Sequence, residues 1–308
     1  MTFVEDPVRV AVPATSANLG PGFDTLGLAL ELRDVLEARV TDGGLVVEVE
    51  GYGAGQVPLD ERHLVVRAMR ATFERIGQQP PGLHLSCTNV IPHARGLGSS
   101  SAAIVGGVWL ARELVAGGRL LLDDAALLDL AADLEGHPDN VAPALLGGFV
   151  IAGHDRGDGD GGWFAVPGSV DPRVSAVVFV PPSPVSTEAA RGLLPADVPH
   201  ADAAANAGRA ALLVAALSGR PEQLLRATED RLHQEYRRPA MPGSLALVDA
   251  LRTDGVPAVV SGAGPTVLAF ADGNGTPATA ALLARCPEGW QAHALAVTGR
   301  GVGLADAR

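Results

Sequence analysis

The chain has 308 residues, 47% of them hydrophobic, a formal charge of -12, and no lysine, so all 23 of its Lys+Arg residues are arginine. That length predicts two domains rather than one, the charge argues against nucleic acid or an acidic membrane surface as partner, and the missing lysine excludes a Walker A loop and Schiff-base or pyridoxal chemistry. Apolar stretches around 102–110 and 210–217 are too short or too alanine-rich to span a bilayer, the first residues show no signal-peptide pattern, and Cys87 and Cys286 read as separate thiols of a reducing, cytoplasmic compartment.

From the N-terminus, Arg9–Val12 is a short strand candidate leading into Pro13–Asp24, where small polar residues, two glycines and two prolines specify a turn-rich loop. Asn18 and Asp24 are the natural ligand contacts of that loop. Leu26–Val40 reads as a strand pair, and Leu45–Glu50 alternates as a half-buried strand. Leu64, Val65, Ala68, Met69 and Phe73 recur at helical spacing within Glu61–Ile76, which Gly77 stops. Leu83, Leu85 and Cys87 alternate again, so the glycine- and serine-rich segment after them lies between a strand and a helix running from about Ser100 to Leu114. Asp123–Leu134 is the next helix, capped by Asp123 or Asp124. His154–Gly162 resembles a calcium loop in its alternating aspartates, but Val166 stands where the twelfth-position glutamate is needed. A solvated turn is expected there, near the change of domain.

Val174–Val180 is an apolar strand ended by Pro181-Pro182-Ser183-Pro184. Helices are predicted at Ala203–Leu217, Pro221–Leu232, Leu245–Thr253 and Thr276–Arg285. Strands are predicted at Ala258–Ser261, Thr266–Phe270 and His293–Thr298. Strands and helices mix without a regular βαβ rhythm, so the class is α+β rather than a doubly wound sheet.

Four blocks carry chemistry. Pro13–Asp24 is the first. The second runs Pro92, His93, Ala94, Arg95, Gly96, Leu97, Gly98, Ser99, Ser100, Ser101, Ala102, and has the build of a phosphate cradle. Its glycines let N–H groups converge, its hydroxyls add donors or a metal ligand, and the helix behind it presents a positive end. The third, Asp133-Leu134-Glu135-Gly136-His137-Pro138-Asp139-Asn140, offers carboxylates and an amide suited to Mg²⁺ beside a nucleotide. Within it His137 reads as a ligand contact or a helix-end cap. The fourth, Ser261-Gly262-Ala263-Gly264-Pro265-Thr266, is a tight glycine turn between strands.

In this order the blocks resemble the motifs of the GHMP kinases, in their homoserine-kinase form, from Pro13 to about Val267. The resemblance implies a GHMP kinase fold, with an N-terminal ATP-binding domain over residues 1–165 similar to a ribosomal-protein domain, and a ferredoxin-like α+β domain over 166–308. It implies an enzyme of threonine biosynthesis that uses ATP and Mg²⁺ to phosphorylate the side-chain hydroxyl of L-homoserine, working as a homodimer. The alternatives are another small alcohol such as mevalonate, or metabolite binding without turnover. Carried over by residue, Asn18, Asp24, Asn140, Thr187, Arg191, Arg237, Gly262 and Gly264 would bind the acceptor. Ser100 (or Ser99) and Glu135 would hold the metal, and residues 92–102 the ATP. Glu235 before Tyr236-Arg237, and Pro239-Ala240-Met241-Pro242 after it, depart from the family pattern and leave Arg237 and Arg238 both open. Asp24 is either the orienting group for the acceptor or its general base. The loop around Asn18 is expected to close over the acceptor, and adenine is expected near Glu61–Val66.

Overall fold

The first two strands, β1 (Val8–Asn18) and β2 (Gly22–Thr41), pair antiparallel from Val8 opposite Ala38 to Asn18 opposite Gly22. A computed structural model describes residues 2–155 and 162–305. The chain continues through β3 (Gly44–Gly51), α1 (Leu64–Ile76), β4 (Gly82–Asn89), α2 (Ser99–Leu114), α3 (Gly118–Leu121), α4 (Asp124–Glu135), α5 (Pro138–Leu146), β5 (Phe149–His154) and β6 (Trp163–Gly168). Two expectations change here. Leu26–Val40 is part of one strand rather than a pair, because β2 changes neighbour along its length: residues 26–28 pair with β5 and residues 35–41 with β4. Pro13–Asp24 is strand on both sides of a turn at 19–21, because its polar side chains find tertiary partners instead of bending the chain locally. Ser16 Oγ, for example, is hydrogen-bonded with Ser261 Oγ at 2.8 Å.

The helices share one apolar core with this sheet. α2 is buried almost all round, which explains why its sequence shows no polar face. Two glycines bring it close. A Cβ on Gly106 would lie 2.3 Å from Leu36 Cδ1, and one on Gly107 would lie 2.6 Å from the Val65 carbonyl of α1. Asp123 caps α4 by accepting from Ala126 N, and Gly77 ends α1 in the left-handed region at φ 79°.

The second half runs β7 (Val174–Val180), α6 (Thr187–Arg191), α7 (His200–Gly219), α8 (Leu224–Ala227), α9 (Pro242–Thr253), β8 (Ala258–Val260), β9 (Val267–Asp272), α10 (Pro277–Leu283), β10 (Gln291–Ala296) and β11 (Gly303–Leu304). Four of these strands form an antiparallel sheet in the order β10-β7-β9-β8. β7 is apolar throughout because both of its faces are covered: Ala176, Val178 and Val180 face one core, Val177 and Phe179 the other. The helix expected over Pro221–Leu232 is shorter. It is a 3-10 turn and α8, after which Asp230 side-chain oxygens accept from the backbone N–H groups of residues 232–234 and bend the chain.

The expected division at 165/166 falls inside β6, which pairs residue for residue with β5 and belongs to the first sheet. The tail returns there too, with β11 on β1 and the Arg33 guanidinium donating to the Arg300 and Gly301 carbonyls. The aspartate-rich turn expected at 154–162 lies mostly, at 156–161, outside the described residues. Among those described, no helix is long and apolar enough to cross a membrane. Gly107→Ala is expected to destabilise the protein by about 1–3 kcal/mol, because the added methyl meets backbone rather than a movable side chain. Urea unfolding measures this, and an unchanged midpoint would contradict the close α1–α2 approach.

Candidate active site

The loop between β4 and α2 turns its carbonyls into the protein. Ala94 O accepts from Val185 N (3.2 Å), Arg95 O from Thr266 N (3.2 Å), Leu97 O from Thr15 N (3.1 Å) and Gly96 O from Ser261 Oγ (2.6 Å). A trans peptide points its N–H opposite its C=O. The amides of Arg95, Gly96, Leu97 and Gly98 therefore face away from these partners, on the side where Ala94, Arg95, Gly96, Gly98, Ser99 and Ser100 line a cavity. Gly96 and Gly98 have φ of 77° and 70°. A Cβ there would lie 2.3 Å from Ser261 O and 1.9 Å from Thr15 Oγ1, so both positions require glycine. α2 starts with no side-chain cap and no acid in its first turn, leaving its positive end open to an anion. Arg95 contributes only its backbone to this cradle, since its guanidinium donates to the carbonyls of His93, Pro181 and Pro182. Pro92 and Leu97 line neither of the two cavities that meet here, and Leu97 packs in the core.

Those cavities, of about 270 and 280 Å³, share Ser99 and Ser100 as a common wall. The first is largely apolar. Val57, Pro58, Leu64 and Val65 form much of it, as expected for the start of α1, and Ala102 closes it. Of its polar groups, Arg62 and His63 lie in the expected Glu61–Val66 stretch and His93 in the second block, whereas Asp34 and Asn89 were not legible in advance. Burial lowers the pKa of both His63 and His93, and His63 Nδ1 has no hydrogen-bond partner. Asp34 Oδ1 accepts from Val90 N (2.6 Å) and Ile91 N (2.8 Å), fixing the chain just before the cradle. Burial pushes this carboxyl up to about 6 although the two N–H groups pull it down.

The second cavity is polar. On its floor Glu135 Oε1 accepts from Ser100 Oγ (2.7 Å) and Ser101 Oγ (2.9 Å), whereas Ser99 makes no side-chain hydrogen bond. Among the described residues no group of three His, Cys, Asp or Glu forms a metal cage. The oxygen donors Glu135 and Ser100 suit a hard ion that keeps water and phosphate ligands. His137 precedes α5 without capping it, and instead pairs with Asp139 Oδ1 at 2.9 Å. Burial lowers the pKa of His137, but Asp139 and Glu135 outweigh that and leave it raised. Asn140 Oδ1 accepts from Thr15 Oγ1 at 2.8 Å.

The far wall comes from both halves. Thr187 opens α6, where Ser186 Oγ accepts from Ala189 N, and both residues line the cavity with Arg191. The Arg191 guanidinium grips Asp24 with two bonds, of 2.6 and 3.1 Å. Arg237 is 1% exposed, and its Nη1 donates to His233 Nδ1 (2.9 Å) and Gly262 O (3.1 Å). His233 then carries its proton on Nε2 and donates to Gly20 O at 2.8 Å. Burial and the repulsion of Arg191 bring the Arg237 pKa down to about 10. Arg238 turns away to Glu235 and Asp249, leaving the cavity to Arg237. Gly262 lines the cavity. Gly264 does not, and its place is set by packing, since a Cβ there would lie 2.4 Å from Met241 Sδ.

The non-glycine residues with positive φ, among those described, are Asn18, Leu19, Asp24 and Ala94, all at this site. Asn18 holds its own conformation by donating from Nδ2 to Gly262 O and accepting from Asp24 N, each at 2.9 Å. Leu19 is fully buried, and a Cβ on Gly20 would lie 2.6 Å from Thr228 O. Hydrogen bonds and close packing tie this turn to the second half of the chain.

A model described as GHMP kinases N terminal domain matches residues 63–148, and one described as GHMP kinases C terminal matches residues 212–286. A homoserine kinase of Streptomyces coelicolor is 61% identical over 265 residues, covering 86% of this chain and 84% of that protein. One from Streptomyces avermitilis is 58% identical over 298 residues, covering 96% and 95%. Among solved structures, the homoserine kinase of Cytophaga hutchinsonii matches with a TM-score of 0.85 at 28% identity, covering 99% of both chains. L. major mevalonate kinase matches at 0.68 with 17% identity over 98% of this chain, a likeness of fold.

Asp34 makes the stability of the fold pH-sensitive. Its folded pKa lies above the ordinary carboxylate value, so the native state holds a proton that the unfolded chain releases, and unfolding becomes easier as pH rises from 4 to 6. Asp34→Asn removes that dependence. The variant is expected to gain on the order of 2 kcal/mol over the parent across this interval, read by urea unfolding at each pH. A constant difference would contradict it.

Proposed function

The chain belongs to the GHMP kinase family, and we propose that it transfers the γ-phosphoryl group of ATP to the side-chain hydroxyl of L-homoserine, giving O-phospho-L-homoserine for threonine biosynthesis. The observation that carries the substrate is the polar cavity. Two guanidinium groups, of Arg191 and Arg237, line it beside a phosphate cradle, and Asp24, which lines a neighbouring cavity, is paired to the first of them, the complement of a small zwitterion. Adenine and ribose occupy the apolar cavity against Leu64 and Val65, and the phosphates cross the shared wall at Ser99 and Ser100. The amides of residues 95–98 and the start of α2 hold the phosphoryl oxygens.

Arg191 and Arg237 receive the α-carboxylate, and Asp24 the ammonium. Asn18 and Asn140 flank the acceptor, with Thr187 and Gly262 on the cavity wall. In the absence of acceptor, Asp24 and Arg191 satisfy one another, so an entering zwitterion exchanges one ion pair for two. Both oxygens of Asp24 are taken up by this guanidinium, which supports an orienting role rather than that of base. The hydroxyl proton then leaves late, to the phosphoryl oxygens. Glu135 and the Ser100 hydroxyl would hold Mg²⁺, which would supply charge neutralisation for the transferring group. The protein's own part is to hold donor and acceptor in line.

ADP release measured with L-homoserine, L-threonine, L-serine and mevalonate tests the reading. Homoserine is expected to exceed each of the others by on the order of 10²-fold in kcat/KM, because mevalonate leaves Asp24 without an ammonium and the shorter hydroxyl arms of serine and threonine fall out of line with the phosphoryl group. Preference for mevalonate would overturn it. Glu135→Gln is expected to lower kcat by on the order of 10²-fold and to raise the Mg²⁺ concentration needed for half-maximal rate. A loss confined to the KM for homoserine would instead move Glu135 to the acceptor side.

A further inference from the structure

Phe23 sits between the turn at 19–21 and Asp24, within the first sequence block. Its half-buried ring has charged neighbours. The guanidinium carbon of Arg191 lies 5.5 Å from the ring centroid and that of Arg237 lies 5.6 Å from it. The His233 ring packs on it at 5.3 Å, tilted by 32°. Like charges gathered on one ring repel, and the two arginines are not equally compensated. Arg191 has the Asp24 carboxylate. Arg237 makes no carboxylate bond among the described residues; its hydrogen bonds go to a neutral imidazole and a carbonyl, and its Nε–H is buried without a partner. The negative face of an aromatic ring attracts a desolvated guanidinium, and one ring offers that attraction to both groups.

We propose that Phe23 is a positioning residue for the acceptor: by taking both guanidinium groups against one ring, it holds two like charges close enough to share a single carboxylate, and so selects alcohols that carry one. This rests on the reading of the polar cavity as the acceptor site. The ring acts through Arg191 and Arg237, so it governs affinity for the carboxylate and not the delivery of ATP.

Phe23→Leu keeps the bulk and removes the ring. The KM for L-homoserine is expected to rise roughly tenfold with the KM for ATP unchanged, and Phe23→Tyr to restore it. Inhibition by 3-aminopropan-1-ol, which has the hydroxyl and the ammonium without the carboxylate, is expected to keep its strength in Phe23→Leu. An unchanged homoserine KM, an equal weakening of both alcohols, or a tyrosine variant no better than leucine would overturn the proposal. Crystal structures of the parent protein and Phe23→Leu without acceptor supply a readout independent of substrate. Guanidinium groups displaced in the variant support the role, and unmoved ones sink it. Failure of the parent protein to phosphorylate homoserine would count against the substrate reading alone, and the crystallographic comparison would still decide on Phe23.

Discussion

The site depends on which way four peptide groups point. Thr15 of β1, Val185 before α6, and Ser261 and Thr266 of the glycine turn each hold one carbonyl of residues 94–97. Planarity does the rest, turning the matching N–H groups outward as one set. A chain without lysine has no ammonium to lay against a phosphate, so the positive potential comes from these amides and from the uncapped start of α2. Because the four partners come from both halves, the cradle cannot take this shape in either half alone. The two sheets are joined where the chemistry is, and the Arg95 guanidinium strengthens the seam by binding carbonyls at Pro181 and Pro182.

The acceptor side follows a similar economy of charge. Arg237 is a buried cation without its own carboxylate, and a closed circuit of neutral acceptors holds it: His233 takes its hydrogen, Gly20 takes that of His233, and Gly262 serves both Arg237 and Asn18. Gly20 and Asn18 belong to one tight turn, so the backbone strain at Asn18 and Leu19 and the placement of the arginine are parts of one arrangement. A buried cation held this way stays charged and keeps hydrogen-bonding capacity for a ligand.

That turn, tied down by tertiary hydrogen bonds and close packing, stands on one side of the site. Polar groups with unspent hydrogen bonds, such as His63 Nδ1, belong to the largely apolar cavity on the other side. Among the described residues only Ser99 and Ser100 are common to both linings, which puts the first turn of a helix buried on nearly every side where the two cavities meet. Placing reactive groups on a buried helix limits their motion, and Gly106 and Gly107 secure its seat.

Much was legible in the residues alone. Alternation over Leu83–Cys87 followed by Gly96, Gly98 and a run of serines placed the cradle between a strand and a helix, because backbone conformations with positive φ demand glycine wherever the chain is. The ordered blocks marked the family, and Leu64 and Val65 marked the apolar cavity. Tertiary structure alone decided the rest. It turned Pro13–Asn18 into strand, since only distant Asn140 and Ser261 satisfy Thr15 and Ser16. It chose Arg237 over Arg238, neighbours of identical chemistry, by burying one and pairing the other with Glu235 and Asp249. Asp34 and Phe23 were invisible for the same reason: a carboxylate in a strand and a phenyl ring after a turn acquire their roles only from groups far along the chain, and local pattern records spacing, not what folding brings opposite.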